Sequence, residues 1–256
     1  MAEKILPKAQ VVRREDLTSD LMKMWLQPPP EFQPFKPGQY CTIGVDGIER
    51  PYSIVSSPHE QFIELFLELV PNTYRTPKSL TPKLWELHEG DWVTLRPKAK
   101  GTFLLDESAV CHGMVATVTG IAPFVSMLRA LQAGYYHEVN SGSDFGIYIF
   151  QGASYYDEFG YDEELIRLDR MYENVFYVPT VSRPTEERNK PWDGITGRIN
   201  AHFALIAKHI PKENGMVYLC GNEGMVDDLG NTKITPDKPL GKFIQAGYKV
   251  KQEVFF

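Results

Sequence analysis

The chain has 256 residues, 43% apolar and 23% charged, a globular composition that excludes a disordered or collagen-like protein. That length suits one large domain or two smaller ones, and 20 Gly with 19 Pro indicate frequent turns, so two domains are expected. The formal charge of −6 argues against a general nucleic-acid binder. No apolar run approaches the ~18 residues of a membrane span. Met1 to Gln10 carries Glu3, Lys4 and Lys8 without a signal-peptide core, which makes the cytoplasm the expected location. Three scattered cysteines, Cys41, Cys111 and Cys220, are too few for a disulfide framework, a zinc site or a four-thiolate iron-sulfur cluster, and the six histidines show no ligand spacing. No metal site is expected, and any redox chemistry must use an organic cofactor.

The two halves differ in charge. Up to Leu104 the basic and acidic residues balance at 13 each of 27 and 33, so the whole acidic excess lies beyond it. The first half also holds local basic runs around Arg75 to Lys83 and Arg96 to Lys100, which suit an anionic cofactor, an acidic partner or simply a solvated surface.

From Ala9 to Leu104 the pattern is short β-rich segments separated by Pro, Gly and Asp, at Gln10–Arg14, Leu21–Leu26, Tyr40–Val45, Tyr52–Val55, Phe62–Val70 and Trp92–Leu95. This predicts a small barrel or sandwich over residues 1–104. Phe62–Val70 is polar only at Glu64 and Glu68 and reads as a long strand with one well-buried face. Leu80, Leu84 and Leu87 mark a short helix, with Thr81 as N-cap, Pro82 in the first turn and Gly90-Asp91 as the stop. Beyond residue 104 apolar runs alternate with helical stretches, the signature of an α/β domain with a parallel sheet over residues 105–256. The strands are Met114–Thr117, Gly146–Phe150, Val175–Thr180 and Met216–Cys220; the helices are Phe124–Tyr136, Asp157–Tyr172 and Ile199–Ala207. Ligands of such sheets collect beyond the carboxyl ends of the strands. Attention therefore falls on Thr119-Gly120, Gly152-Ala153, Thr180 to Arg183 and Cys220-Gly221.

The chain has no G-x-G-x-x-G fingerprint, P-loop, H-E-x-x-H or G-x-S-x-G. It does contain an ordered series: Arg50-Pro-Tyr-Ser53, Thr117-Val-Thr-Gly-Ile-Ala-Pro-Phe124, Val181-Ser-Arg183, Cys220-Gly-Asn-Glu-Gly-Met225, and a terminal Phe255-Phe256. Each element alone is weak, but five in this order and spacing are specific. In them the chain resembles the ferredoxin-NADP reductase family of flavoproteins over nearly its whole length. The resemblance implies a two-domain α/β protein, an N-terminal antiparallel β-barrel binding FAD followed by a C-terminal parallel-sheet domain binding NADP(H). Hydride would pass from NADPH to flavin N5 and electrons singly to ferredoxin or flavodoxin.

The resemblance also assigns residues. Tyr52 lies on the flavin, Arg50 meets its diphosphate and Ser53 sits near N5, with Pro51 between; a flat ring, a fork of donors and a small hydroxyl suit those tasks. Phe66, Ser79, Leu80 and Thr81 are further flavin contacts, the last at a helix start suited to an anion. Thr119 meets flavin or nicotinamide. Here the chain departs from the family, because Val118 replaces a glycine where backbone room is usual, which bears on nicotinamide approach and on the local φ. Ala153, Ser154, Ser182, Arg183, Arg198, Asn222 and Met225 are assigned to the nucleotide, and paired arginines favour a 2′-phosphate. Ser154 stands where bacterial relatives carry a basic residue, so the phosphate would lean on Arg183, Arg198 and either Arg188 or Lys190. Cys220 is a positioning group by the hydride path, and Glu253 tunes N5 and proton supply. Either Phe255 or Phe256, in two possible registers, covers the flavin face opposite Tyr52 and moves aside for nicotinamide. A rim of Arg75, Lys78, Lys83, Arg96 and Lys98 would dock an acidic carrier. Rival readings are an NADH-dependent reductase subunit of an oxygenase system and a non-catalytic flavin- or nucleotide-binding module.

Overall fold

A computed structural model describes residues 6–73, 78–136, 145–235 and 238–255, with Phe255 described in its backbone only. Its contacts define two compact units, residues 1–105 with 122–135 and residues 106–121 with 136–256.

The first unit contains β1 (Lys8–Asp16), β2 (Leu21–Gln27), β3 (Tyr40–Val45), β4 (Ile48–Ser53), β5 (Ile63–Glu68), α1 (Thr81–Trp85) and β6 (Trp92–Leu95). The strands pair antiparallel in the order β4-β3-β6-β1-β2-β5. An isolated bridge between Ile54 and Leu65, with Val55 N–H donating to Glu64 O at 2.9 Å, joins the two edges and closes the sheet into a barrel. Inside lie Val11, Met22, Met24, Leu26, Ile43, Leu65, Leu67, Val93 and Leu95, the inward members of alternating strands. The fourth strand begins earlier than the expected Tyr52. Asp46 and Gly47, at φ 49° and 77°, form the tight turn that pairs β3 with β4 from Val45↔Ile48 to Tyr40↔Ser53.

Two other expectations for this unit are corrected. Thr81 is the first residue of α1 and Leu80 occupies the cap position. The Thr81 hydroxyl instead accepts from Val70 N–H at 2.7 Å and donates to Val70 O at 3.0 Å, tying the helix start to the chain beyond β5. β5 is buried on both faces rather than one, and its Glu64 is 2% exposed. Arg129 supplies the compensating charge at 2.5 Å from α2 (Ala122–Gln132).

That helix packs with the barrel. Ser126 Oγ donates to Ser56 O at 2.8 Å, and the Phe124 and Phe103 rings lie 5.7 Å apart. Gly134, at φ 72°, ends α2 before the expected Tyr136; Tyr135 N–H bonds to Ala130 O and Gly134 N–H to Leu131 O, a Schellman arrangement.

The second unit contains β7 (Cys111–Thr117), β8 (Gly146–Ala153), α3 (Asp162–Met171), β9 (Val175–Val181), β10 (Ile195–Thr196), α4 (Phe203–His209), β11 (Gly215–Asn222), α5 (Glu223–Gly230), α6 (Lys242–Gln245) and β12 (Val250–Phe255). All six strands are parallel, in the order β10-β9-β8-β7-β11-β12. Ile206, Val226, Leu229 and Phe243 from α4, α5 and α6 share one apolar cluster with Val115, Phe150, Val217 and Leu219 of the sheet. The expected helix Asp157–Tyr172 is divided: Asp157 lies in a 3-10 turn, Gly160 at φ 73° breaks the chain, and α3 starts at Asp162. The expected helix Ile199–Ala207 likewise starts as a 3-10 turn, Ile199–His202, before α4. Among the described residues no helix is long and apolar enough to cross a membrane.

Candidate functional site

In the barrel unit Arg50, Pro51, Tyr52 and Ser53 form the end of β4. Proline is tolerated in β4 because the bridge that closes the barrel begins only at Ile54, so the side of Pro51 away from β3 carries no ladder bond to lose. Arg50 and Pro51 are exposed, Tyr52 is half-buried against the barrel core, and Ser53 is buried. Burial, partly offset by Arg50, pushes the Tyr52 phenol up, so the ring stays neutral. The Arg50 guanidinium donates to Glu49 O at 2.7 Å and to Lys78 O at 2.6 Å. It thereby reaches the segment before α1, where the Ser79 and Thr81 hydroxyls lie 3.2 Å apart. Arg50 and Ser79 form a donor set that suits a diphosphate, and exposed Pro51 with Tyr52 offers an apolar surface beside it for a flat ring. The Thr81 hydroxyl is spent on Val70, and Leu80 is 1% exposed within the core. Phe66 is 4% exposed, which leaves little of its ring for a ligand.

In the second unit the strand order dictates where a ligand can sit. After β7 the chain adds β8, β9 and β10 on one side; β11 and β12 then fill the other. The connections leaving β7 and β11 diverge, which makes the carboxyl ends of this pair the switch point of the sheet. There the 3-10 turn Val118–Ile121 meets Gly221-Asn222. A Cβ on Gly120 would lie 2.2 Å from Cys220 O, and one on Gly221, at φ 134°, would lie 2.1 Å from Thr117 Oγ1. Both glycines are required for backbone to meet backbone. Thr117 Oγ1 accepts from Asn222 N–H at 2.8 Å, and the Asn222 side chain caps α5 by accepting from Gly224 N–H at 2.9 Å. Thr119 is half-buried in the turn, and Met225 is 5% exposed in α5. Val118 adopts φ 39°, a left-handed conformation that costs a β-branched residue strain, and Gln151 Nε2 donates to its carbonyl at 3.3 Å.

Cys220 is 0% exposed, so its thiol presents no surface to a ligand. Burial, and then the Glu253 carboxylate, hold that thiol well above its ordinary range, which excludes a thiolate nucleophile. Glu253 is half-buried in β12, in register with Cys220, and Phe255 pairs by its backbone with Asn222. Phe256 lies outside the described residues.

The nucleotide-assigned arginines follow neighbouring parallel strands. Register pairs Ile195 with Thr180 and Thr196 with Val181, so Arg183, two residues past β9, and Arg198, two past β10, leave the same sheet edge. Both are exposed. Arg183 donates to the Tyr155 phenol at 3.0 Å and lies 3.5 Å from Glu186. Ala153 ends β8 alongside and Ser154 follows it, with Ser182 N–H donating to Ala153 O at 2.9 Å. Of the two extra basic residues, Arg188 lies over the Tyr155 ring at 4.2 Å, whereas Lys190 is 72% exposed and paired with Glu187. Sequence reasoning passed over Tyr155 and Asn189, the buried residue that links these loops. A mid-loop Asn carries no periodic signal.

The basic rim is partly neutralised. Lys83 pairs with Asp46 at 2.6 Å and Arg96 with Glu49 at 2.7 Å, while Lys78 and Lys98 are exposed and Arg75 lies outside the described residues.

The comparisons with known proteins agree with this geometry. The family of oxidoreductase NAD-binding domains matches residues 114–230, from β7 through α5. A flavodoxin/ferredoxin–NADP reductase of Escherichia coli K12 is 30% identical over 236 residues, spanning 86% of each chain. One from Buchnera aphidicola subsp. Baizongia pistaciae is 28% identical, spanning 87% of this chain and 88% of that protein. Among solved structures, a ferredoxin NADP+ reductase from Neisseria gonorrhoeae with bound FAD and NADP superposes with a TM-score of 0.75 over 99% of this chain and all of that one, at 20% identity. A closed antiparallel barrel, a parallel sheet with its switch point between β7 and β11, and 30% identity along most of the sequence meet in one assignment: the chain belongs to the flavodoxin/ferredoxin–NADP reductase family.

Proposed function

We propose that the chain is an FAD enzyme that moves electrons between NADPH and ferredoxin or flavodoxin. The observation that carries this reading is the switch point, where Gly120 and Gly221 bring two loops backbone to backbone in a chain of this family. When bound, FAD supplies the redox chemistry, exchanging electrons in pairs with the nicotinamide and singly with the carrier. The protein supplies position and charge. Arg50 and Ser79 hold the diphosphate, Tyr52 stacks as a neutral ring, and the Ser53 hydroxyl stands at the end of the same strand. Thr119, Asn222 and Met225 bound the nicotinamide end, with Cys220 as packing beneath it and Glu253 as the nearby carboxylate that holds or releases a proton. Ala153, Ser154, Ser182, Arg183 and Arg198 take the adenosine end, the arginines selecting a doubly charged 2′-phosphate.

The carrier would meet the exposed cations Lys78 and Lys98, with Lys83 and Arg96 exchanging their present partners Asp46 and Glu49 for carboxylates of the carrier. The test is reduction of ferredoxin or flavodoxin by NADPH across a salt series. The reading expects turnover with NADPH well above NADH, and association that slows as salt rises. No transfer to either carrier, or equal use of both nucleotides, would count against it.

A further inference from the structure

Asn189 is 1% exposed, although it lies in the connection between β9 and β10 and its neighbours Arg188 and Lys190 reach solvent. Its amide is fully used. Nδ2 donates to Ser154 O at 2.8 Å and to Arg183 O at 2.9 Å, and Oδ1 accepts from Tyr156 N–H at 2.9 Å. One side chain thus binds the loop after β8 to the loop after β9. Between its two attachment points on the first loop sits Tyr155, which organises the guanidinium groups. Its phenol accepts from Arg183 Nη1 at 3.0 Å and donates to Glu186, and its ring carries Arg188 at 4.2 Å. Asp157 pairs with Arg188 at 2.8 Å and Glu158 lies 3.7 Å from it. Glu158 completes the frame by accepting from Ser154 and Tyr155 N–H at 2.9 and 3.0 Å.

We infer that Asn189 is a positioning residue for nucleotide selectivity, fixing Tyr155 so that Arg183 and Arg188 are presented together to a phosphate monoester. This rests on the proposed use of NADPH. Surface arginines held only by rotamer preference lose much of their binding contribution to ordering entropy. A guanidinium already seated on a ring, beside another hydrogen-bonded to that ring's hydroxyl, loses less. The carboxylates paired with the arginines, Glu186 with Arg183 and Asp157 and Glu158 with Arg188, keep them oriented and yield to a doubly charged ligand.

The experiment compares binding of 2′,5′-ADP and 5′-AMP to the flavin-loaded protein by calorimetry, alongside NADPH kinetics. In Asn189→Ala the affinity for 2′,5′-ADP is expected to fall about tenfold while that for 5′-AMP stays within about twofold, and KM for NADPH should rise with little change in kcat. A merely structural role would weaken both nucleotides alike. Tyr155→Phe keeps the ring under Arg188 and removes only the phenol, and should lower the same ratio several-fold; if Asn189→Ala does not fold, this variant decides. Variants that bind with the wild-type ratio overturn the inference and leave the NADPH reading intact. Wild-type protein that does not prefer 2′,5′-ADP overturns both.

Discussion

The α carbon of Gly120 faces the carbonyl oxygen of Cys220 so closely that a methyl group there would stand 2.2 Å from it. The turn after β7 and the end of β11 are therefore one packed element, and it lies at the switch point of the parallel sheet. Gly120→Ala must push the two strand ends apart. Its expected cost is about 1–3 kcal/mol of stability, as for other overpacked sites, with loss of NADPH binding. Urea unfolding and nucleotide titration of the variant measure both.

Val118 should behave in the opposite sense. At φ 39° it carries left-handed strain of about 1–2 kcal/mol, which glycine would relieve at an entropic cost of roughly 0.5–1 kcal/mol. Val118→Gly should therefore leave stability within about 1 kcal/mol of wild type, whereas truncating the core residue Val217 to Ala should cost more than that. Urea midpoints for the two variants check the contrast, and a loss of several kcal/mol at Val118 would show that its packing against Ala153, Phe159 and Val181 outweighs the strain.

Arg198 and Arg183 test the nucleotide end. Removing either as Ala should raise KM for NADPH roughly ten- to a hundredfold, the worth of one charge-assisted contact, and change KM for NADH little. Steady-state kinetics with both nucleotides reads this directly.

His112 predicts an acid-side weakness. It is 0% exposed in β7, stacked on Tyr218 with Nδ1 3.2 Å from the Tyr218 hydroxyl, and its Nε2 has no hydrogen-bond partner among the described residues. Burial depresses its pKa to about 4 from 6.5. Between those values the unfolded chain binds more protons than the folded one, so stability falls as pH drops through 6.5 and levels off below 4. The loss amounts to about 3 kcal/mol. Urea midpoints from pH 7 to pH 4 should slope accordingly, and His112→Phe should remove that part of the slope.

Much of the architecture was legible because alternation and apolar runs carry it. Tyr40–Val45 and Trp92–Leu95 are strands at the expected residues, and each expected strand of the parallel sheet exists, mostly longer than its apolar run. The Asp46-Gly47 dipeptide is the local signal of the hairpin between β3 and β4, a turn signal that alternation and apolar runs do not carry. By contrast β10 has only two residues, both exposed, and exists through pairing with Thr180 and Val181, which no local pattern announces. α5 hid behind the Cys220-Gly-Asn motif, whose Asn is also its cap. That α2 packs with the barrel is a tertiary fact: Ser126 and Arg129 find partners about 65 to 70 residues away.

For the candidate site, the sequence announces the grouping of residues where chemistry and position coincide: Arg50 reaches the segment of Ser79, and Arg183 and Arg198 follow neighbouring strands. It is silent on the hydrogen bonds that link the loops. Thr117 opens the Thr117–Phe124 series, and its hydroxyl is what fastens Asn222. Asn189 has no sequence signal at all. Thr81 misled for a physical reason: a hydroxyl before a proline suits a cap, but the chain beyond β5 ran close enough to claim it.

The most direct test of the account is an absorbance spectrum of the purified protein followed by anaerobic titration with NADPH. The account predicts a yellow protein with one FAD per chain that is bleached by about one equivalent of NADPH. Colourless protein that stays colourless after incubation with FAD, or a flavin that NADPH leaves unbleached, would contradict it.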